Sequence, residues 1–467
     1  MNFNTNKAEN LKIAYIGGGS RGWAWNLMSD LAQEPMLGGK VYLYDIDFKA
    51  AKNNEIIGNS IKKVHKEVSN FEYVATESIS DALTGADFVI ISILPGTFDE
   101  MEVDVHEPEK YGVYQSVGDT AGPGGIIRAL RTLPMFEEIA LAIKANCPNA
   151  WVINYTNPMT MCMRMLYKVF PEIKAFGCCH EVFGTQKLLC RVLEDTKGIK
   201  DIKREEIKVN VIGINHFTWI TKANYINIDI FPIYREYCEK YRETGVPKRE
   251  DPDDSWLNKY FDSTNKVKID LFLRYGSIAA AGDRHLAEFC PGSWYLKNPE
   301  TVEGWHFGLT PVSWRKSKRE DLLQKSEDLV SGKMEFELNP SGEEGVIQMK
   351  AILGLGDIVT NVNIPNYGQI PNLPIGAVVE TNARFTSDSV TPVFSGEIPQ
   401  NILGLVSRTV VNQELVVEAA YTKNFEPAFT AFIDDGLNTL DFKDSKELFV
   451  TMIEKTSDYL KMYKRSV

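Results

Sequence analysis

A doubly wound parallel α/β sheet that passes into a helix-rich mixed α/β domain is the fold this sequence predicts. Three observations lead there: short, almost wholly apolar runs alternate with helical patterns, a glycine-rich turn follows the first run, and the texture changes near residue 190. The runs are LKIAYIGGG (11–19), KVYLYDID (40–47), DFVIISILPG (87–96), AWVINYT (150–156) and IKAFGCC (173–179), as expected of strands buried on both faces. Between them, 48–68 and 126–146 carry the helical period. Beyond residue 190, KVNVIGINHFTWI (208–220) reads as one longer strand, and helices are expected over 229–243, 267–280, 316–332, 401–423 and 445–464. The Asn-, Pro- and Gly-rich stretch 361–380 reads as a loop and strand that cross between them. The predicted division is 1–190 for a nucleotide-binding domain and 191–467 for an intertwined substrate- and metal-binding domain.

The 467 residues are 44% hydrophobic and 24% charged, enough to bury a large core. A net charge of −12 argues against nucleic acid or a membrane surface as partner, because both repel an acidic protein. The longest apolar run, FVIISIL (88–94), is too short for a bilayer, and MNFNTNKAEN has neither the basic region nor the apolar stretch of a leader. Seven cysteines are an odd and low count for this length. A protein of the reducing cytoplasm is expected.

Residues 17–22, GGGSRG, spell GxGxxG directly after the first run and before a helical pattern. Gly17, Gly19 and Gly22 suit a tight turn, close approach of a pyrophosphate and close helix–sheet packing, with Ser20 in the same loop. Asp45, 23 residues past Gly22, stands where a carboxylate holds the ribose 2′-hydroxyl of NAD, and Asp47 is a second candidate. INYTNPMT (153–160) puts the amides of Asn154 and Asn157 at the carboxyl edge of the sheet, as ligand contacts or as turn formers. In AFGCCHEVFG (175–184), Cys178 and Cys179 must point to opposite faces, so one packs and the other reaches the edge beside His180. GINHFTW supplies His216. Cys179 with His216 raises a two-ligand metal site open to substrate and water; thiolate and imidazole alone would suit zinc or iron.

Taken together, IGGGS, GDTAGPGGIIRALRTLP (118–134), INYTNPM, FGCCHE, GINHFTW and GQIPNLPIGAVVE (368–380) resemble glycoside hydrolase family 4, over roughly residues 11–435. The resemblance implies a Rossmann-like domain related to lactate and malate dehydrogenases, NAD and Mn²⁺ as cofactors, and a homodimer or homotetramer. It implies Cys179 and His216 as metal ligands, Asn157 as a substrate amide, and Asp119 in a loop facing nicotinamide and substrate. His180 stands where the 6-phosphoglycosidase branch has an acidic general acid. The general base falls on Asp283, with Tyr275 the nearest tyrosine. The implied chemistry oxidises carbon 3 transiently, removes the hydrogen on carbon 2, and eliminates the aglycone with no net redox. Cys179-His180-Glu181-Val182 resembles the α-glucuronidase and α-galacturonidase members. A uronate would need a cation, for which Arg284, His285 or Arg128 are candidates; Arg284 could instead pair with Glu288. Competing readings are an α-galactosidase or α-glucosidase of the same family, a lactate/malate-type NAD-dependent dehydrogenase that could dispense with Cys179, and an NAD-binding sensor.

Overall fold

The computed structural model of the chain describes residues 2–4, 6–65, 68–247, 261 and 263–464. Its larger sheet holds six parallel strands in the spatial order Asn70–Thr76, Leu37–Tyr44, Lys7–Ile16, Phe88–Ile91, Trp151–Asn154, Lys174–Gly177. That is the 3-2-1-4-5-6 order of a dinucleotide-binding fold. The five runs named from sequence are all strands here. Phe88–Ile91 is buried at every residue, as a strand covered on both faces must be. Asn70–Thr76 was not foreseen, because its alternating exposed and buried residues lack a continuous apolar run.

The sheet does not end at residue 190. Three antiparallel strands from the second half, Ile358–Pro365, Val378–Thr386 and Ser389–Pro392, extend it beyond Lys174–Gly177 through the pair Asn363 and Gly177. The expected boundary at 190 falls inside the helix Glu181–Lys197, which Gly198 terminates at φ 69°. One core joins both halves: Ile127, Leu130 and Leu166 pack with Val416, Ala420, Phe432 and Phe449. A buried fork between Arg131 and Asp104 ties helix Phe98–His106 to helix Gly122–Asn146. Removing either partner of such a pair costs about 3–5 kcal/mol, since the other charge is left without water.

The expected single strand over 208–220 is a hairpin. Ile207–Ile214 and Phe217–Tyr225 pair antiparallel in a second sheet, joined by Asn215 and His216, with His216 at φ 62°. The run is apolar on both sides of this two-residue turn, so hydrophobicity alone did not reveal it. The helices expected beyond 190 appear at Ile230–Lys240, Lys266–Tyr275, Val312–Ser331, Gln400–Thr422 and Phe442–Lys455. All seven cysteines are free, and among the described residues no helix is long and apolar enough to cross a membrane.

Candidate active site

The carboxyl ends of the parallel strands release the glycine turn, Asp45, the Asn-Pro loop and the Cys-His pair along one edge. At the front, Gly17 takes φ 92° and has no room for a side chain against the Ser92 carbonyl. A Cβ at Gly18 would lie 2.8 Å from Leu43 and one at Gly19 2.7 Å from Ala50, so close packing falls on Gly17, Gly18 and Gly19 rather than on Gly22. Gly22, the residue before helix Trp23–Ala32, has nothing within 4 Å of where a Cβ would stand. That leaves a cradle at a helix N-terminus suited to a pyrophosphate. Asn54, unremarked in the sequence, clamps the loop: its amide nitrogen donates to Gly18 O (2.7 Å) and Ser20 O (2.9 Å), while Trp25 Nε1 donates to its oxygen. Asp45 accepts one backbone hydrogen bond on each oxygen, from Gly19 N and Asp47 N, and keeps lone pairs for a ribose hydroxyl. Asp47 instead caps the helix Phe48–Val64. Asn154 turns both ends of its amide onto Thr156, the turn-forming alternative.

Deeper along the edge, Asp119, His216 and His285 bring one ligand atom each within 4.8 Å of one another. The two imidazoles lie 3.9 Å apart between centroids. Thr120 Oγ1 donates its only hydrogen to Asp119 Oδ1 (2.6 Å), so at 3.1 Å it accepts from His216 Nδ1. His216 therefore keeps the lone pair on Nε2 for a ligand. Burial and the neighbouring His285 hold His216 down to about 3, hence neutral. Burial opposes charge on Asp119, yet the Arg128 guanidinium and the Thr120 hydroxyl bring it down to about 2. Glu181, half-buried, is brought down to about 2 chiefly by His285 and by His180, and it accepts from Gly282 N. His285 Nδ1 and Asn157 Oδ1 are buried without a hydrogen-bond partner. Two carboxylates held low, the neutral His216 imidazole, the His285 ring and the unpaired Asn157 oxygen fit a divalent cation with a polar ligand beside it.

The remaining expected site residues divide. Cys178 is buried and donates to Gln348 Oε1, while Cys179 faces the other core, its thiol beside Asn215 and Glu181 and outside the tight Asp119–His216–His285 group. The opposite facing of the two thiols is as the strand pleat required. His180 is exposed next to Trp23, with Nδ1 2.6 Å from Glu343 Oε1, a bond that raises its pKa. Asp283 is fully buried and accepts from Lys268 N, beside the Lys268 ammonium, which itself donates to Thr185. Tyr275 sits apart, edge-on to Trp219 with Arg274 and Asp270 as charged neighbours. Arg284, expected as a carboxylate contact, instead donates to Gly308 O, Ser116 O and Thr310 Oγ1. Nor does it pair with Glu288, which accepts from Val117 N and Gly118 N and so holds the loop carrying Asp119. Glu343, Lys268, Thr120 and Asn54 escaped the sequence reading. Only Thr120, inside the GDTAGPGG motif, had a local signal.

Comparison with known proteins places this geometry among relatives. Models of the family 4 glycosyl hydrolases and of their C-terminal domain match residues 12–195 and 211–437. An α-galacturonidase of Thermoanaerobacterium saccharolyticum is 60% identical over 464 residues, covering 99% of each chain. A Bacillus subtilis protein described as a glucosidase has a solved structure that superposes with TM-score 0.90 at 53% identity, over 95% of this chain and 100% of that one. A 6-phospho-α-glucosidase from gut microorganisms, solved with NAD and Mn²⁺, shares the fold at TM-score 0.79 and 21% identity, over 98% of this chain and 100% of that one.

Proposed function

The chain belongs to the family 4 glycosyl hydrolases, and we propose that it is an α-galacturonidase working with NAD and Mn²⁺. What carries the reading is identity of 60% with an α-galacturonidase over 99% of both chains. The open cradle at Gly22 and the Asp119–His216–His285 group support the two cofactors. When bound, they supply a reversible hydride acceptor for carbon 3 and a Lewis acid for the resulting ketone.

The chain's own residues do the rest. Gly17, Gly19, Ser20 and Gly22 shape the dinucleotide turn, and Asp45 receives the ribose hydroxyls. His216 and His285, with Asp119 and the nearby Cys179, would hold the metal; Thr120 fixes the His216 ring. Asn157 Oδ1 takes a sugar hydroxyl hydrogen. Asp283 is the proposed base for the hydrogen on carbon 2, with Tyr275 the second candidate, and His180, held by Glu343, delivers a proton to the departing oxygen. The enzyme is proposed to act in the cytoplasm as a homodimer or homotetramer.

The test is hydrolysis of 4-nitrophenyl α-galacturonide with NAD⁺, Mn²⁺ and a thiol reductant. Expected are aglycone release without accumulating NADH, a primary isotope effect from deuterium at carbon 2 or 3, and exchange of the carbon 2 hydrogen with solvent. NADH formed in proportion to product would make the protein a net dehydrogenase. Faster turnover of a neutral galactoside would overturn the uronide assignment.

A further inference from the structure

We propose that Arg315 is the residue that receives the sugar carboxylate and so selects uronides over neutral sugars; this rests on the galacturonidase reading above. Arg315 stands in the first turn of helix Val312–Ser331. The start of that helix is fixed in place: Val312 N donates to His106 Nε2 at 3.2 Å, and Lys316 reaches Asp99 at 2.7 Å and also Glu102. The guanidinium of Arg315 lies 5.9 Å from the Phe261 ring, and that of Arg284 lies 4.6 Å from the same ring. Arg315 is thus carried on a rigid element to the side of the site where Asp119, Arg128 and Arg284 meet.

The hydrogen-bonding inventory singles it out. Arg284 is committed to two backbone carbonyls and a threonine hydroxyl, and Arg128 donates Nε to Asn157 O. Arg315 alone of the three makes no hydrogen bond or ion pair among the described residues. The charge around it is also out of balance. Arg128, Arg284 and Arg315 all feel the charge of Asp119, Arg284 that of Glu181 as well, while burial pushes Glu288 up to about 8. Three guanidiniums against the carboxylates of Asp119 and Glu181 leave a place for an anion, and a planar fork matches a carboxylate with two parallel bonds. The sequence offered Arg284, His285 and Arg128 for this task; Arg284 is engaged, His285 belongs to the Asp119–His216–His285 group, and Arg128 donates to the Asn157 carbonyl.

The experiment measures binding of D-galacturonate and of its neutral methyl ester to the enzyme loaded with NAD⁺ and Mn²⁺, in the wild type, Arg315→Gln and Arg315→Lys. The wild type is expected to favour the acid. Arg315→Gln should weaken acid binding on the order of 30-fold and the ester far less, so the preference collapses, while Arg315→Lys retains part of it. NAD titration and the melting temperature check that each variant folds; should Arg315→Gln fail, Arg315→Lys decides. A preference unchanged within about threefold in the folded variants overturns the role of Arg315. A wild type that binds the ester at least as well as the acid overturns the uronide reading itself, which separates the two failures.

Discussion

The rings of His216 and His285 face one another at 3.9 Å, while Thr120 accepts from His216 and passes its own hydrogen to Asp119. Two imidazoles from different elements, a hairpin turn and the helix Asp283–Phe289, thus meet at one point, and the Thr120 relay fixes the ring of His216.

His285→Ala should raise the Mn²⁺ concentration for half-maximal activity about 100-fold, and Thr120→Val about 10-fold through loss of ring orientation. Metal titration of activity and of the Mn²⁺ paramagnetic signal reads both. Wild-type Mn²⁺ binding by His285→Ala would remove His285 from the ligand set.

Glu343→Gln leaves His180 without its carboxylate partner. A general acid matters most when the leaving group is poor. The variant should lose about 10–100-fold in kcat on an alkyl galacturonide and only a fewfold on the 4-nitrophenyl compound. Equal losses on both substrates would mean that Glu343 serves the fold and not proton delivery.

Burial raises Glu288 from 4.5 to about 8 against the pull of the Val117 and Gly118 amides. A raised folded pKa means its stabilising contribution is complete below the unfolded value and lost as pH climbs through the folded one. The wild type should therefore lose melting temperature between about pH 4.5 and 8 more steeply than Glu288→Gln, which keeps the acceptor and cannot ionise. Parallel profiles would show Glu288 to be charged in the folded enzyme.

Asn54→Ala frees the Gly18 and Ser20 carbonyls and strands the Trp25 indole N–H. A loss of about 1–3 kcal/mol of stability and a weaker NAD dissociation constant are expected together, from denaturant melts and fluorescence titration. Stability loss with unchanged NAD affinity would show that the loop holds its shape without the clamp.

The parallel sheet was legible because its strands are continuous apolar runs with the glycine turn in register, and Cys178 and Cys179 could be told apart from the pleat alone. Residues of the candidate site stand out in the sequence where a short motif carries them: Asp119 in GDTAGPGG, His216 in GINHFTW, Asn157 in INYTNPMT. Their assembly does not. The His180–Glu343 bond spans 163 residues, and Glu343 sits in a stretch, ELNPSGEEG, whose composition says only loop. Arg284 and Arg315 look equally cationic in a sequence. Only the backbone carbonyls around Arg284 distinguish them.

Strands from both halves of the chain share one sheet, and helices from both share one core. Parting these shared strands and helices would break backbone ladders and expose the common interior. The edge that carries the candidate site therefore stands on a floor to which both halves of the chain contribute.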